Sequence, residues 1–250
     1  METITSSRNP RVLAWRSLHD KKGRADQDAF LVEGTKLVRE ALSSGFDVLA
    51  VLLREDTVPS FDLPASVPVF QLPDHVFQSV CDTKTPQGIA AVLSRRVLPL
   101  AGTRFLALDG IQDPGNMGTM IRTADAAGFD GLLLSPDCVD IFSPKVLRAT
   151  MGSIFRMTFA FPGDLPASLR ELREKGFSVL SSQLDGDPFY ERKDVSSFFV
   201  LIVGNEGNGI SDPVRAEATH RLRLPMRGGA ESLNAAVAAG IMMYDLMKNA

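Results

Sequence analysis

The stretch "LDGIQDPGNMGTMIRTADAAG", residues 108–128, reads as an apolar strand that runs into a helix across a tight turn. The turn holds Pro114, Gly115, Asn116 and Gly118, and Arg122 follows from the first part of the helix. A glycine-containing turn between a strand and a helix N-terminus is a frequent cradle for phosphates and nucleotides. The stretch is not the phosphate loop G-x-x-x-x-G-K-[ST], and it is not the dinucleotide fingerprint G-x-G-x-x-G. Simple turn chemistry also produces such loops, so the stretch fixes the fold pattern before it fixes a ligand.

Working outward, the same alternation continues to the C-terminus. The segments "RFLALDG", "DGLLLS", "MTFAF", "FSVLSSQL", "FFVLIVG" and "LRLP" are apolar and strand-length, and all but one pair are separated by helical patterns. Near-continuous apolar strands alternating with helices predict an α/β domain whose parallel sheet is covered by helices on both faces. Upstream lies a smaller α/β block. Its basic opening precedes "FLVEGTKLVREALSSG", where Leu37, Val38, Ala41 and Leu42 recur at helical spacing. "DVLAVLLRED", "VPVFQL" and "GIAAVLS" read as strands, and "PDHVFQSVCD" as a helix begun by Pro73 and Asp74. Pro99 and Gly102 mark a linker. The expected division is residues 1–94, a linker at 95–103, and residues 104–250.

The bulk properties narrow the classes. A chain of 250 residues can bury roughly three quarters of the surface its unfolded form exposes, and needs no staples. No run approaches 18 apolar residues, and "METITSSRNP" lacks the apolar core of a signal peptide. Two cysteines, Cys81 and Cys138, and three scattered histidines form no metal spacing. A cytoplasmic protein with free thiols, no metal and no membrane contact is expected. Net charge is −3, yet residues 8–24 carry Arg8, Arg11, Arg16, Lys21, Lys22 and Arg24 against one acid, Asp20. Because attraction fades within about 10 Å at ordinary salt, a local basic patch on an acidic protein can still bind phosphates. A solvated helix face accounts for the same run equally well.

Two further strand ends carry unusual residues. "FFVLIVGNEGNGIS", residues 198–211, ends a strand in Gly204, Asn205, Glu206, Gly207, Asn208 and Gly209. "LRLPMRGGAESLNAAVAAG", residues 222–240, follows a short strand with a glycine pair, and Ser232 is expected to begin the last helix with Asn234 in its first turn. In a parallel sheet, ligands bind beyond the carboxyl ends of the strands. Three such loops in one chain point to a composite site.

These three stretches resemble the sequence motifs of the SpoU/TrmH family of RNA ribose 2′-O-methyltransferases, within the SPOUT superfamily. "NMGTMIRTADAAG", "VGNEGNGIS" and "LPMRGGAESLNAAVAAG" fall in the family's order and spacing. "FSPKVLRATMGSIFRM" is similar to the segment between the first two motifs, and "RNPRVLAWRSLHDKKGRADQDAFLVEGTKLVREAL" to an N-terminal substrate-binding domain of the L30e-like type. The resemblance implies S-adenosyl-L-methionine as methyl donor, a homodimer, and a trefoil-knotted C-terminal domain. It implies donor contacts at Gly204, Asn205, Leu224, Met226 and Leu233, and catalytic roles among Asn116, Arg122, Glu206, Ser232 and Asn234. RNA would be held by Arg8, Arg11, Arg16, Lys21, Lys22 and Arg24, with ribosomal RNA favoured over transfer RNA. A non-catalytic RNA-binding or ribosome-assembly protein of the same fold is the alternative.

Overall fold

The computed structural model describes residues 1–95 and 99–248. Residues 96–98 of the expected linker therefore lie outside the described residues. In chain order the first elements are β1 (Glu2–Thr3), α1 (Pro10–Ser17), α2 (Lys21–Gln27), β2 (Ala29–Glu33), α3 (Thr35–Leu42), β3 (Val48–Arg54), β4 (Val69–Leu72), α4 (Asp74–Val80) and β5 (Ile89–Ser94). They are followed by β6 (Arg104–Asp109), α5 (Pro114–Ala127), β7 (Gly131–Leu134), α6 (Pro144–Thr150), β8 (Thr158–Ala160) and α7 (Leu165–Glu174). The last are β9 (Ser178–Pro188), β10 (Phe199–Gly204), α8 (Asp212–Ala216), β11 (His220–Arg223) and α9 (Ala235–Met247). Two units emerge. The first takes in Met1–Arg96 and Asp140–Arg156, the second Val97–Val139 and Met157–Ala250.

The first unit holds a five-stranded mixed sheet in the order β1-β4-β3-β5-β2. β5 runs antiparallel to β2 and β3, while β1, β3 and β4 are parallel. Helical spacing in "FLVEGTKLVREALSSG" holds only from Thr35. Phe30, Leu31 and Val32 before it pair with Leu93, Val92 and Ala91 and are buried on both faces of β2. Gly34, at φ 92°, makes the change from strand to helix. Trp15, Leu18, Leu52, Phe70, Leu72 and Phe77 fill the core under α1 and α4.

The stretch Asp140–Arg156, which the sequence places inside the larger block, packs with this first unit. Phe142 lies against Phe30 with ring centroids 4.7 Å apart, and Phe155 meets Phe46 edge-on at 5.7 Å. Arg148 pairs with Asp82 at 2.7 Å.

The second unit holds a six-stranded sheet in the order β11-β9-β10-β6-β7-β8, parallel at every pairing. Phe105, Ala107, Val200 and Ile202 point to one face, where Leu165 and Leu169 of α7 and Val214 of α8 cover them. On the other face α9 lies against β10 and packs along α5. β6 and β10 are central and in register, with Gly204 opposite Asp109. Their carboxyl ends therefore deliver two loops side by side.

Candidate active site

The first loop begins where β6 stops at Asp109. Its carboxylate Oδ2 accepts a hydrogen bond from the Ser211 N–H at 2.8 Å, which ties this strand end to the loop after β10. Gly110 turns the chain at φ 68° and accepts from Asn205 Nδ2 at 2.7 Å through its carbonyl. Asp113 then caps α5, its Oδ1 accepting from the Asn116 N–H at 2.7 Å, with Pro114 at the first helical position. Pro114, Gly115, Asn116 and Gly118, expected as a turn, are thus already helical. The cap fixes where Asn116 points.

The second loop is tightly built. A side chain on Gly204 would place its Cβ 2.3 Å from backbone atoms of Gly209 and Ile210, so only glycine lets the loop fold back there. Asn205 and Gly209 exchange two backbone hydrogen bonds, at 3.0 and 2.9 Å. Asn205 Oδ1 also accepts from the N–H groups of Gly207 and Asn208. These bonds hold Glu206 at the exposed tip.

The third loop ends at Asn234, which caps α9. Its Oδ1 accepts from the N–H groups of Ala236 at 2.9 Å and Val237 at 3.2 Å. Ser232 was expected to begin this helix. It stands two residues before the cap, because Asn234 and not Ser232 meets the free N–H groups.

One chain of side-chain hydrogen bonds joins all three loops. Asn234 Nδ2 donates to Asn116 Oδ1 at 3.0 Å, and Asn116 Nδ2 donates to Glu206 Oε1 at 2.8 Å. Its direction follows from the cap. Asn234 Oδ1 is occupied by two backbone N–H groups, so its amide nitrogen must face Asn116, whose own nitrogen then faces Glu206. The chain ends on a carboxylate oxygen that accepts.

Behind it opens a cavity of about 670 Å³. Gly204, Asn205, Glu206, Leu224, Met226, Ser232, Leu233 and Asn234 all contribute to its wall. Val203 and Ile210 add apolar surface, and Ser182 to Asp185 of β9 add a side that sequence reading missed. Nothing in "SSQLDGD" marks that side, since its position depends on how β9 pairs.

Arg122 is separate from this wall. It lies mid-helix on α5, six residues or about 9 Å along the axis from Asn116. Among the described residues this exposed guanidinium has no hydrogen bond or ion pair.

The basic residues of the first unit divide. Arg8, Arg11, Arg16, Lys21 and Lys22 are exposed. Arg11 pairs with Glu2 at 2.8 Å and lies 5.0 Å from the centre of the Phe70 ring. Arg24 requires a correction. It is 3% exposed, its Nε donates to Asp140 at 2.8 Å, and its Nη1 donates to the carbonyls of Leu18 and His19 at 2.7 Å each. With those partners it is a core ion pair and cannot reach a phosphate. Among the described residues no group of three His, Cys, Asp or Glu is placed to hold a metal ion.

Comparison with known proteins gives the arrangement a context. Residues 103–244 match the SpoU rRNA Methylase family, and residues 9–91 match the MRM3-like substrate binding domain. The chain is 41% identical to the 23S rRNA (guanosine(2553)-2′-O)-methyltransferase RlmP of Bacillus subtilis, over 98% of this chain and 99% of that protein. Its fold matches an AdoMet-bound rRNA methyltransferase from Sinorhizobium meliloti, with TM-score 0.88 and 32% identity over 99% of this chain and 98% of that one. It also matches the SpoU methyltransferase AviRb from Streptomyces viridochromogenes, with TM-score 0.84 and 25% identity over 96% and 97% of the two chains. Three loops in the expected order, joined at one cavity, and a family match across more than half the residues lead to one conclusion: the chain belongs to the SpoU rRNA methylase family.

Proposed function

We propose that this protein transfers the methyl group of S-adenosylmethionine to a ribose 2′-hydroxyl in ribosomal RNA. The observation that carries this reading is the Asn234–Asn116–Glu206 chain, which joins the three loops at the wall of one cavity. The cavity, at about 670 Å³, is within the usual range for small-ligand sites. Its mixed lining suits an adenosine with a polar tail. Gly204, Asn205, Leu224, Met226 and Leu233 would hold the donor, largely through backbone groups and apolar contact. When bound, the donor supplies an electrophilic methyl on a sulfonium whose positive charge is lost on transfer.

The remaining work falls to the chain's own residues. Arg122 suits a phosphodiester beside the target ribose, because its planar fork makes two parallel hydrogen bonds. A guanidinium offers donors and no acceptor, so Arg122 grips and does not remove a proton. Glu206, aimed by Asn116, is the acceptor for the 2′-hydroxyl proton, with Ser232 on the same wall. Holding both partners in register can supply roughly 7–11 kcal/mol of barrier reduction. An unpaired nucleotide is the natural target, since its 2′-hydroxyl is reachable. Arg8, Arg11, Arg16, Lys21 and Lys22 would contact RNA phosphates from the first unit.

A homodimer and a trefoil knot in the second unit complete the reading. Val237, Ile241 and Tyr244 form one stripe along α9 and are 51%, 38% and 56% exposed, with Leu233 near its start at 39%. An apolar stripe of this kind suits burial by a second copy. Among the described residues no helix is long and apolar enough to cross a membrane, and the proposed ribosomal substrate supports a cytoplasmic location. The test is a map of ribose methylations in 23S rRNA from cells with and without the gene, repeated with purified protein and donor. One 2′-O-methyl group should vanish and be restored, and an unchanged map would sink the proposal.

A further inference from the structure

The first unit has a cavity of its own, about 300 Å³, at the start of α3. Part of its rim is the loop between α4 and β5, which is held at both ends. The Glu33 carboxylate accepts from the N–H groups of Asp82 at 2.6 Å and Thr83 at 3.3 Å, and from the Thr83 hydroxyl at 2.7 Å. Gln87 Oε1 accepts from the Thr35 N–H at 2.9 Å, which orients the amide and leaves its Nε2 as a donor. Thr85, between these anchors, is exposed and lines the cavity.

The stretch that returns to this unit supplies another part of the wall. α6 ends on Met151, at φ 52°, in a left-handed conformation that glycine usually provides at the end of a helix. A long side chain held there is strained, and such strain collects at ligand sites. Core packing does not account for it, because Met151 is 44% exposed and lines the cavity. Arg148, one turn earlier, bonds Asp82 through one nitrogen and lines the same cavity with its side chain 38% exposed. Lys36, also on the lining, comes no nearer than 4.0 Å to Glu40, its printed counter-charge.

We infer that this cavity takes one unstacked nucleotide of the RNA substrate, its base lying on Met151 and the Arg148 plane, a base carbonyl accepting from Gln87 Nε2, and its phosphate at Lys36. This rests on the RNA reading above, but on none of the residues assigned there. The parts match a nucleotide in kind. An open thioether and a planar cation suit a flat ring, an oriented amide N–H suits its carbonyl edge, and a flexible ammonium suits the anion joined to it. Proteins read single-stranded RNA by splaying bases out against such surfaces. Uracil, cytosine and guanine offer the carbonyl, and adenine does not.

The test is binding of a fluorescent single-stranded oligouridylate to the full chain, followed by anisotropy, with urea denaturation alongside. Met151→Gly removes the surface under the base and relieves the backbone. It should weaken binding on the order of tenfold, the loss of one side chain's apolar contact, while the urea midpoint holds or rises. Gln87→Glu keeps an acceptor for the Thr35 N–H and turns the donor into an acceptor, so it should also weaken binding without loss of stability. Native affinity in either variant, or weakening that comes only with a lowered midpoint in both, overturns the assignment. Free uridine monophosphate should compete poorly. If it competes as well as the oligouridylate, the cavity is a mononucleotide site and the assignment to RNA fails. Should the natural chain bind neither oligouridylate nor 23S rRNA, the RNA reading falls and this assignment with it. Should it bind both yet transfer no methyl group, the proposed activity fails and the cavity keeps its nucleotide.

Discussion

Both units carry a polar cluster that stands out in the sequence, and the fold treats them in opposite ways. In the second unit, Asn116, Glu206 and Asn234 lie up to 118 residues apart, yet form one hydrogen-bonded chain. In the first, basic residues within a span of seventeen positions separate. Five are exposed, one of them, Arg11, paired locally with Glu2, and Arg24 enters the core beside Asp140. Strand ends gather residues from distant sequence because a parallel sheet aligns them, whereas a short helical run turns its residues in every direction. Position at the end of a strand is therefore the better guide to a site, and local charge density the poorer one.

The largest expected effect concerns Arg24. Replacing it by Met leaves the Asp140 carboxylate buried and unpaired, and breaking such a pair costs about 3–5 kcal/mol. Urea denaturation should show this loss, while an RNA affinity that falls without any loss of stability would return Arg24 to the phosphate-binding set. Next comes Arg122→Ala. Turnover should fall by roughly tenfold to over a hundredfold, matching the 1.5–3 kcal/mol of a charged hydrogen bond, with donor affinity unchanged. Wild-type turnover in the purified variant would remove Arg122 from the site.

Asn234→Ala should destabilise by about 1 kcal/mol through loss of the α9 cap, and should also lower turnover by releasing Asn116. If only stability changes, the three-loop chain is architecture alone. Smaller still is the effect of neutralising Arg8, Arg16, Lys21 or Lys22. Each lost phosphate contact should flatten the log–log salt dependence of binding to single-stranded RNA by roughly 0.7. Arg11→Ala should do less, because Glu2 already competes for its charge. The thiols are where the two units agree. Burial raises the pKa of both Cys81 and Cys138, and the Glu33 carboxylate raises Cys81 further. Neither should be alkylated by iodoacetamide in the native protein at pH 8, since the thiolate is the reactive form.

Much of the second unit was legible because its strands are buried on both faces and so read as apolar runs. The site loops were legible because Gly204, Asn205, Asn116 and Asn234 have few other uses in such places. β2 was harder to see. Phe30 to Val32 run directly into the helical pattern of Leu37 to Ala41, and only the pairing with β5 separates them. Gln183 was hidden because its place follows from a five-residue slip between β9 and β11, which no local pattern encodes. Arg24 was misread because its partner is 116 positions away.

The return of Asp140–Arg156 to the first unit bears on how the protein is made. Phe30 and Phe46 find their aromatic neighbours in Phe142 and Phe155, and Arg24 finds its counter-charge in Asp140. When residue 96 has left the ribosome, none of these partners has yet been synthesised. The stretch ends about sixty residues later, an interval of roughly 3–12 s at 5–20 residues per second. Throughout it the nascent chain carries an uncovered aromatic patch and an uncompensated guanidinium. The first unit is therefore first in the sequence but is not complete until two of the six strands of the second unit's sheet, β6 and β7, have been translated.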